Sequence, residues 1–382
     1  MENLPLEGII VLEFCQYLSG PSAGLRLADF GARVIKIERP GTGDAGRKLA
    51  IKDMWAGEDS LLFNTINRNK ESFTANLKNE VELNLVKKLI KKADVLIHNF
   101  RPGVMEKTGL SYDVVKNINP GIIYGEISGY GAKGPWKDRP GQDLLLQSVT
   151  GLAFTTGSSM NGPVPFGIAV ADIVCGSQLV QAILGALIRR HKTGIGAFIE
   201  LSLMESMLDF QFELLTTYFA SNKQPQRSAV SNGNPLLSAP YGIYRTHDGY
   251  IALAMMDINI LGEAIGCDGL TRFSKDNAFA KRDEIKKILS DHLTNQTSSF
   301  WIEKLHEKGL WAMEVLDWEK MHTHDAYQVL QMEQTVLSNG HNFITTRCPV
   351  RYNRKAIFHD KAAPVLGEHN KKINEEFLNG KG

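Results

Sequence analysis

Asp172 lies in GIAVADIVCG, one residue ahead of the apolar run IVCGSQLVQAILGALIRR at 173–190. An aspartate at that place caps a helix, accepting from unpaired N–H groups beside the positive end of the dipole. The same setting keeps a carboxylate ionised, and an ionised carboxylate in a dry site is a usable nucleophile. Cap and nucleophile are compatible readings of one residue. Asp143, in RPGQDLLLQ, admits the same pair of readings. Arg39 follows one strand-like run, and Arg101 and Lys107 follow another at Asn99-Phe100. Each alone reads as a solvated cation; together, at strand carboxyl ends, they suit a polyphosphate ligand. The glycine-bearing turns Arg101-Pro102-Gly103, Gly129-Tyr130-Gly131 and Asn232-Gly233-Asn234 are ordinary loops when taken singly.

Other chemistries lose their ground. The first turn, Phe14-Cys15-Gln16-Tyr17-Leu18-Ser19-Gly20-Pro21, contains no GxGxxG, so the close backbone approach that wraps a dinucleotide pyrophosphate is missing. A GxxxxGK[ST] loop is absent too, and with it the phosphate cradle of ATP chemistry. Histidines form no HExxH, His322 and His324 read as surface residues, and Cys15, Cys175, Cys267 and Cys348 lack CxxC spacing. No metal site is expected.

The elements that must position these residues are legible in outline. GIIVLEF (8–14) and RVIKIE (33–38) are β-branched runs, and PSAGLRLADFG between them reads as a helix with Pro21 in its first turn and Gly31 at its C-cap. A crossover of that size makes the strands parallel. VELNLVKKLIKKA (81–93) places Val81, Leu85 and Leu89 on one helical face; DVLIHNF (94–100) and GIIYGEISGYG (121–131) are further strands. The run at 173–190 is apolar nearly all round, which predicts a helix buried on every side, and another helical run covers Met204 to Ala220. The fold class is therefore α/β, with a Rossmann-like doubly wound large domain over 1–220. SNKQPQRSAVSNGNPLLSAP (221–240) reads as a linker or functional loop. A small α+β domain over 241–335 follows, opening with strands about His247-Asp248-Gly249, and the tail 336–382 returns to a strand-and-loop pattern that could rejoin the large domain.

Composition agrees with two domains. The chain has 382 residues, Lys+Arg 43 against Asp+Glu 42, net charge +1, 43% hydrophobic and 22% charged residues. Such balance carries no nucleic-acid footprint and no membrane-surface charge. The N-terminus MENLPLEG lacks a signal-peptide layout and no stretch reads as a membrane span, so a cytoplasmic protein is expected.

Taken in order, LEGIIVLEF, SGPSAG, GARVIKIERPGTGD, NRNKESFTANLK, ADVLIHNFRPGVMEKTGL, SGYGAKGPWKDRPGQDLLLQSVTG, GIAVADIVCG, HKTGIGAFIELSLMES, PYGIYRTHDGYIALA and PVLGEH resemble the class III CoA transferase family. This is the CaiB/BaiF type that includes formyl-CoA transferase. The resemblance implies that Asp172, the aspartate of AD-x-x-x-G, attacks a donor acyl-CoA thioester and then carries CoA as an aspartyl thioester. It implies CoA as substrate, no metal, and a small carboxylic acid as acceptor. Around CoA it places Leu18, Ser19, Arg39, Ala75, Lys78, Asn99, Phe100, Arg101 and Lys107. Gln142 and Asp143 would stand at the acceptor site. Asn232 and Gly233, in a loop shorter than that of formyl-CoA transferase, would supply oxyanion donors. The quaternary structure implied is a homodimer of two chains threaded as interlocked rings.

Two alternatives remain beside transfer. An acyl-CoA racemase of the same fold uses a His-Asp element where this chain has Gln142-Asp143, and a glutamine has no proton to exchange near neutral pH. A non-catalytic acyl-CoA-binding homologue would have no need of Asp172. Arg47, Arg139 and Arg227, in or beside the site loops, would hold the second carboxylate of a dicarboxylic acid.

Overall fold

The computed structural model of the protein describes residues 4–230, 233–338 and 340–378. The chain divides into two compact units, one made of Met1–Leu146, Ala169–Phe210 and Gln331–Gly382, the other of Gln147–Ile168 and Gln211–Leu330.

The first unit is built on six parallel strands: β1 (Ile10–Phe14), β2 (Arg33–Glu38), β3 (Glu71–Thr74), β4 (Val95–His98), β5 (Ile123–Ser128) and β6 (Ala197–Ser202), in the order β3-β2-β1-β4-β5-β6. Chain direction across the sheet reverses between β1 and β4, the crevice where open α/β sheets take ligands. Val11, Val34 and Val95 meet across the central strands and all are buried, as β-branched residues covered on both faces should be. Helix α1 (Ser19–Asp29) crosses from β1 to β2, and α2 (Glu80–Ile90) leads to β4. The Asn79 side chain starts α2 by accepting from Val81 N (2.9 Å) and Glu82 N (3.2 Å).

Charges lie beneath this sheet's ligand edge. Lys36 Nζ, wholly buried, contacts Glu13 Oε1 (2.8 Å), Asp44 Oδ2 (2.9 Å) and the Cys15 carbonyl (2.8 Å). Burial works against its charge, but Glu13, Asp44 and Glu38 more than offset it and hold the ammonium above its usual range. Lys70, on the other oxygen of Glu13 at 2.8 Å, is pushed down to about 8 by burial despite that carboxylate. A buried ion pair of this kind fixes geometry more surely than it stabilises.

The tail returns to this unit and covers edge strand β3: His369 N donates to Ser72 O (3.1 Å) and Thr74 N to Asn370 Oδ1 (2.9 Å). Helix α3 (Val170–Thr193) packs on α1, β5 and β6. It is not buried on every side within this chain. Ile173 (43% exposed) and Ile188 (63%) stay exposed, because the sheet and α1 of the first unit pack against the opposite side of this helix. This helix is long and apolar enough to cross a membrane by length and composition only, a test that the core helix of a soluble protein also passes. Its packing on a parallel sheet is that of an α/β core helix. The helix α4 (Leu203–Phe210) ends the segment, and the run to Ser221 resumes only after Gln211.

The second unit holds an antiparallel sheet of β7 (Gly242–Arg245), β8 (Tyr250–Leu253) and β9 (Ala312–Glu314), with β8 central and His247-Asp248-Gly249 turning between β7 and β8. Helices α5 (Ile258–Ile265), α6 (Arg282–Leu293) and α7 (Ser298–Glu307) pack around a core containing Ile251, Leu261, Leu289 and Trp301. Segment 221–240 belongs here. Arg227 donates to the carbonyls of Thr156 (2.8 Å), Asn161 (2.8 Å) and Gly162 (3.0 Å), and Asp283 accepts from Ser228 Oγ (2.6 Å) and Ala229 N (2.9 Å). These bonds bring 147–168 and 221–240 into the second unit, where the sequence drew 1–220 as the large domain and 221–240 as a linker. The last residue of this unit is Leu330, against the 335 expected from sequence.

Candidate active site

The turn after β1 is held from three directions. Asn99, just past β4, accepts from Gln16 N (2.8 Å) and donates to Gln16 O (2.7 Å) and Ser19 Oγ (3.2 Å). Asp44 Oδ1 accepts from Tyr17 N (3.1 Å), and Lys36 reaches the Cys15 carbonyl. Tyr17 sits at φ 63°, a left-handed conformation that costs an aromatic residue about 1–3 kcal/mol and persists only where surroundings impose it.

Ser19 opens α1, and its hydroxyl faces the Asp172 carboxyl, where it favours the ionised form. The approach of the two helices rests on Gly176, one turn beyond Asp172: a Cβ there would lie 2.6 Å from Ser19 O. Only a glycine allows α3 and α1 to cross this closely. Asp172 is the third residue of α3, in its first turn, and Ala169 at the N-cap offers no side-chain bond. The cap comes from elsewhere. Asp143 Oδ1 accepts from Ala171 N (2.6 Å) and, more distantly, Asp172 N (3.4 Å). The cap expected of Asp172 is thus supplied by Asp143 from another segment, since α3 begins three residues earlier than its apolar run.

Burial, followed by the charge of Asp143, pushes the Asp172 carboxyl up to about 6, while the Ser19 hydroxyl pulls the other way. The carboxylate is therefore largely ionised at neutral pH in a setting that resists its ionisation. Such a group bonds readily to a carbonyl carbon.

A cavity of about 680 Å³ opens at the carboxyl ends of β1, β2 and β4. Of the residues expected around CoA, Arg39, Ala75, Lys78 and Phe100 line it. Asn76 and Leu77, within the expected Ala75 to Lys78 stretch, line it too; Glu38, Asp44 and Thr108 also line it and were not anticipated, since they lie within or beside the quoted motifs but carry no charge pattern pointing to a ligand. Asn99 acts as a strut, Leu18 precedes the first helical residue, and Arg101 and Lys107 are exposed outside the lining. The helix Asp143–Val149 begins just after exposed Gln142, whose carbonyl accepts from Leu145 N at 2.9 Å. Gly233 lines a separate apolar cavity of about 690 Å³ in the second unit, with Tyr241, Trp311 and Met313. Ser231 and Asn232 lie outside the described residues. Among the described residues no group of three His, Cys, Asp or Glu is arranged to hold a metal.

The profile of CoA-transferase family III matches residues 6–370. The chain belongs to that family. Among relatives of this CoA-transferase, the human succinyl-CoA:glutarate CoA-transferase is 31% identical over 99% of this chain and 87% of its own. The acetyl-CoA:oxalate CoA-transferase of Acetobacter aceti is 32% identical over 82% of this chain and 81% of its own. A CaiB/BaiF family protein from Brucella suis superposes with a TM-score of 0.85 at 30% identity, covering 98% of this chain and all of that one. The chain is accordingly an enzyme whose family handles CoA thioesters. Two arginines that the sequence offered for an acid's second carboxylate are committed elsewhere in this transferase. Arg47 is buried against Glu38 (2.7 Å) and Asp59, and Arg227 spends its donors on backbone carbonyls. Arg139 lies over the Trp136 ring at 5.8 Å.

Proposed function

We propose that this transferase moves CoA from an acyl-CoA donor to a free carboxylic acid through an aspartyl-CoA thioester on Asp172. The Asp172 carboxylate adds to the thioester carbonyl and expels CoA thiolate, leaving a mixed anhydride. The thiolate then attacks the Asp172 acyl carbon and releases the donor acid. The acceptor carboxylate attacks the aspartyl thioester, again freeing thiolate, and the thiolate takes the acceptor acyl group and regenerates Asp172. Each step exchanges one acyl leaving group for another, with no net proton or electron change.

The observation that carries this reading is the Asp172 carboxylate itself: half-buried in the first turn of α3, facing the Ser19 hydroxyl, with its pKa pushed up to about 6. Partial exclusion of water protects an anhydride, and the helix N-terminus favours negative charge developing there. The 680 Å³ cavity with Arg39 and Lys78 has the charge and size for the phosphates and adenosine of CoA. Arg101 and Lys107 would meet phosphate only from outside that lining. Racemisation lacks its second acid-base group at Gln142.

The acceptor we propose is a small dicarboxylic acid. The names of the human and Acetobacter relatives support this, and Arg139 remains for the second carboxylate. The working unit we propose is an interlocked homodimer. A mass-spectrometric screen of acetyl-CoA and succinyl-CoA against a panel of free acids identifies the exchanged pair. Hydroxylamine added during turnover should then label Asp172. Exchange that proceeds with Asp172 always unlabelled, or undiminished in Asp172→Ala, overturns the assignment.

A further inference from the structure

We propose that the backbone contact between Gly129 and Gly141 is the device that positions Asp143, and through it the first turn of α3. The inference rests on Asp172 as nucleophile and adds two positioning residues to that site.

Gly129 is anchored to the sheet. It follows β5 directly, its carbonyl accepts from Met204 N (3.1 Å), and the neighbouring Ser128 hydroxyl accepts from Gly131 N (3.0 Å). The chain then makes a closed excursion. The Tyr130 hydroxyl donates to Pro140 O (3.2 Å), Tyr130 and Trp136 meet edge to face at 5.8 Å, and Arg139 N donates to Trp136 O (2.9 Å).

At the neck the two glycines touch backbone to backbone. A Cβ on Gly141 would lie 2.6 Å from Gly129 Cα, and one on Gly129 would lie 2.8 Å from Gly141 Cα. Neither glycine has a positive φ, so left-handed freedom is not what selects them. Proximity is. Main-chain atoms, unlike a flexible side chain, have no rotamer by which to give way.

Two residues past Gly141 stands Asp143, whose carboxylate takes the Ala171 N–H at 2.6 Å. The neck therefore transfers the fixed position of the sheet to a carboxylate that caps α3. A displacement of a few tenths of an ångström at Gly141 reaches that cap after one intervening residue. Reacting groups lose rate steeply under shifts of about 1 Å.

Gly141→Ala, assayed with the donor and acceptor found by the exchange screen, should lower kcat at least tenfold. CoA binding by titration calorimetry should stay within threefold, because the residues lining the 680 Å³ cavity do not include this neck. The groups acting on Asp172 are Asp143 and the Ser19 hydroxyl. Withdrawing the Asp143 charge should therefore move the acidic limb of kcat/KM below its wild-type position near pH 6. Asp143→Asn, which adds no backbone clash, should move the limb the same way and serves if Gly141→Ala fails to fold. An unmoved limb in Asp143→Asn, or wild-type kcat and limb in Gly141→Ala while Asp172→Ala is inactive, overturns the proposal. Normal turnover by Asp172→Ala would instead remove the nucleophile reading on which it rests.

Discussion

Asp172 is placed against its own ionisation. A helix N-terminus lowers a carboxyl's pKa, yet burial and the Asp143 charge outweigh it and raise the group from an ordinary value near 4 to about 6. The consequence for stability has a definite sign. The folded pKa lies above the unfolded one, so the contribution favouring folding is complete below about pH 4 and is lost as pH rises through 6. Asp172→Asn should therefore stabilise the protein at pH 8, by an amount on the order of 1–3 kcal/mol, and gain little at pH 4. Urea unfolding of both proteins at the two pH values measures this; an equal difference at both would refute it. The sequence singled out Asp172 because the AD-x-x-x-G element of the resemblance is local, spanning only residues 171–176. It assigned the cap to the wrong carboxylate because Asp143, 29 residues away, meets α3 only in the folded chain. Arg47 and Arg227 show the same limit: their types suit anion binding, but their partners Glu38, Asp59 and the carbonyls of 156–162 are set by tertiary structure.

At the level of elements, β1, β2, β4 and β5 were legible because each carries several buried Val, Ile, Leu, Phe or Tyr residues within a short run. Two strands were not. β3 reads Glu-Ser-Phe-Thr, a polar edge whose partners include His369 and Asn370 at the far end of the chain, and β6 alternates partly buried and exposed residues like a surface strand. α3 was legible as a helix but not in its exposure, since hydropathy alone cannot say which face meets this chain. What sequence could have revealed is the meaning of Gly176. A glycine inside a long helix costs stability unless something needs its bare backbone, and here it is Ser19 O. Gly176→Ala should force α1 and α3 apart and draw the Ser19 hydroxyl away from the Asp172 carboxyl. The expected outcome is a loss of about 1–3 kcal/mol in unfolding free energy together with a fall in kcat larger than any change in the Kd for CoA. A gain in stability, as for a helical glycine in open space, would show the crossing to be looser than described.

For the whole molecule, the sequence expected two domains from chain length and a break from the change of composition after residue 220, whereas the membership of 147–168 could not be read, because it depends on Arg227 reaching back some 70 positions. The largest unexplained feature at this scale is apolar surface. Within the first unit Ile173, Ile188, Ile195, Phe198 and Phe210 are all exposed, on α3, β6, α4 and the turn between helix and strand. A chain of near-zero net charge with so many exposed large apolar residues would associate in water. The proposed interlocked dimer places a second copy over such a surface, and threading adds a topological barrier to dissociation beyond the buried area. Light scattering should therefore give twice the mass of one chain, unchanged on dilution to nanomolar concentration, with subunits of labelled and unlabelled protein failing to exchange until both are unfolded. Ile188→Asp, charging the exposed face of α3 near its C-terminal end, should lower the yield of dimer without altering the fold of any monomer that survives. A chain that is monomeric and fully active at every concentration would leave that face uncovered, and the interlocked arrangement would have to be abandoned.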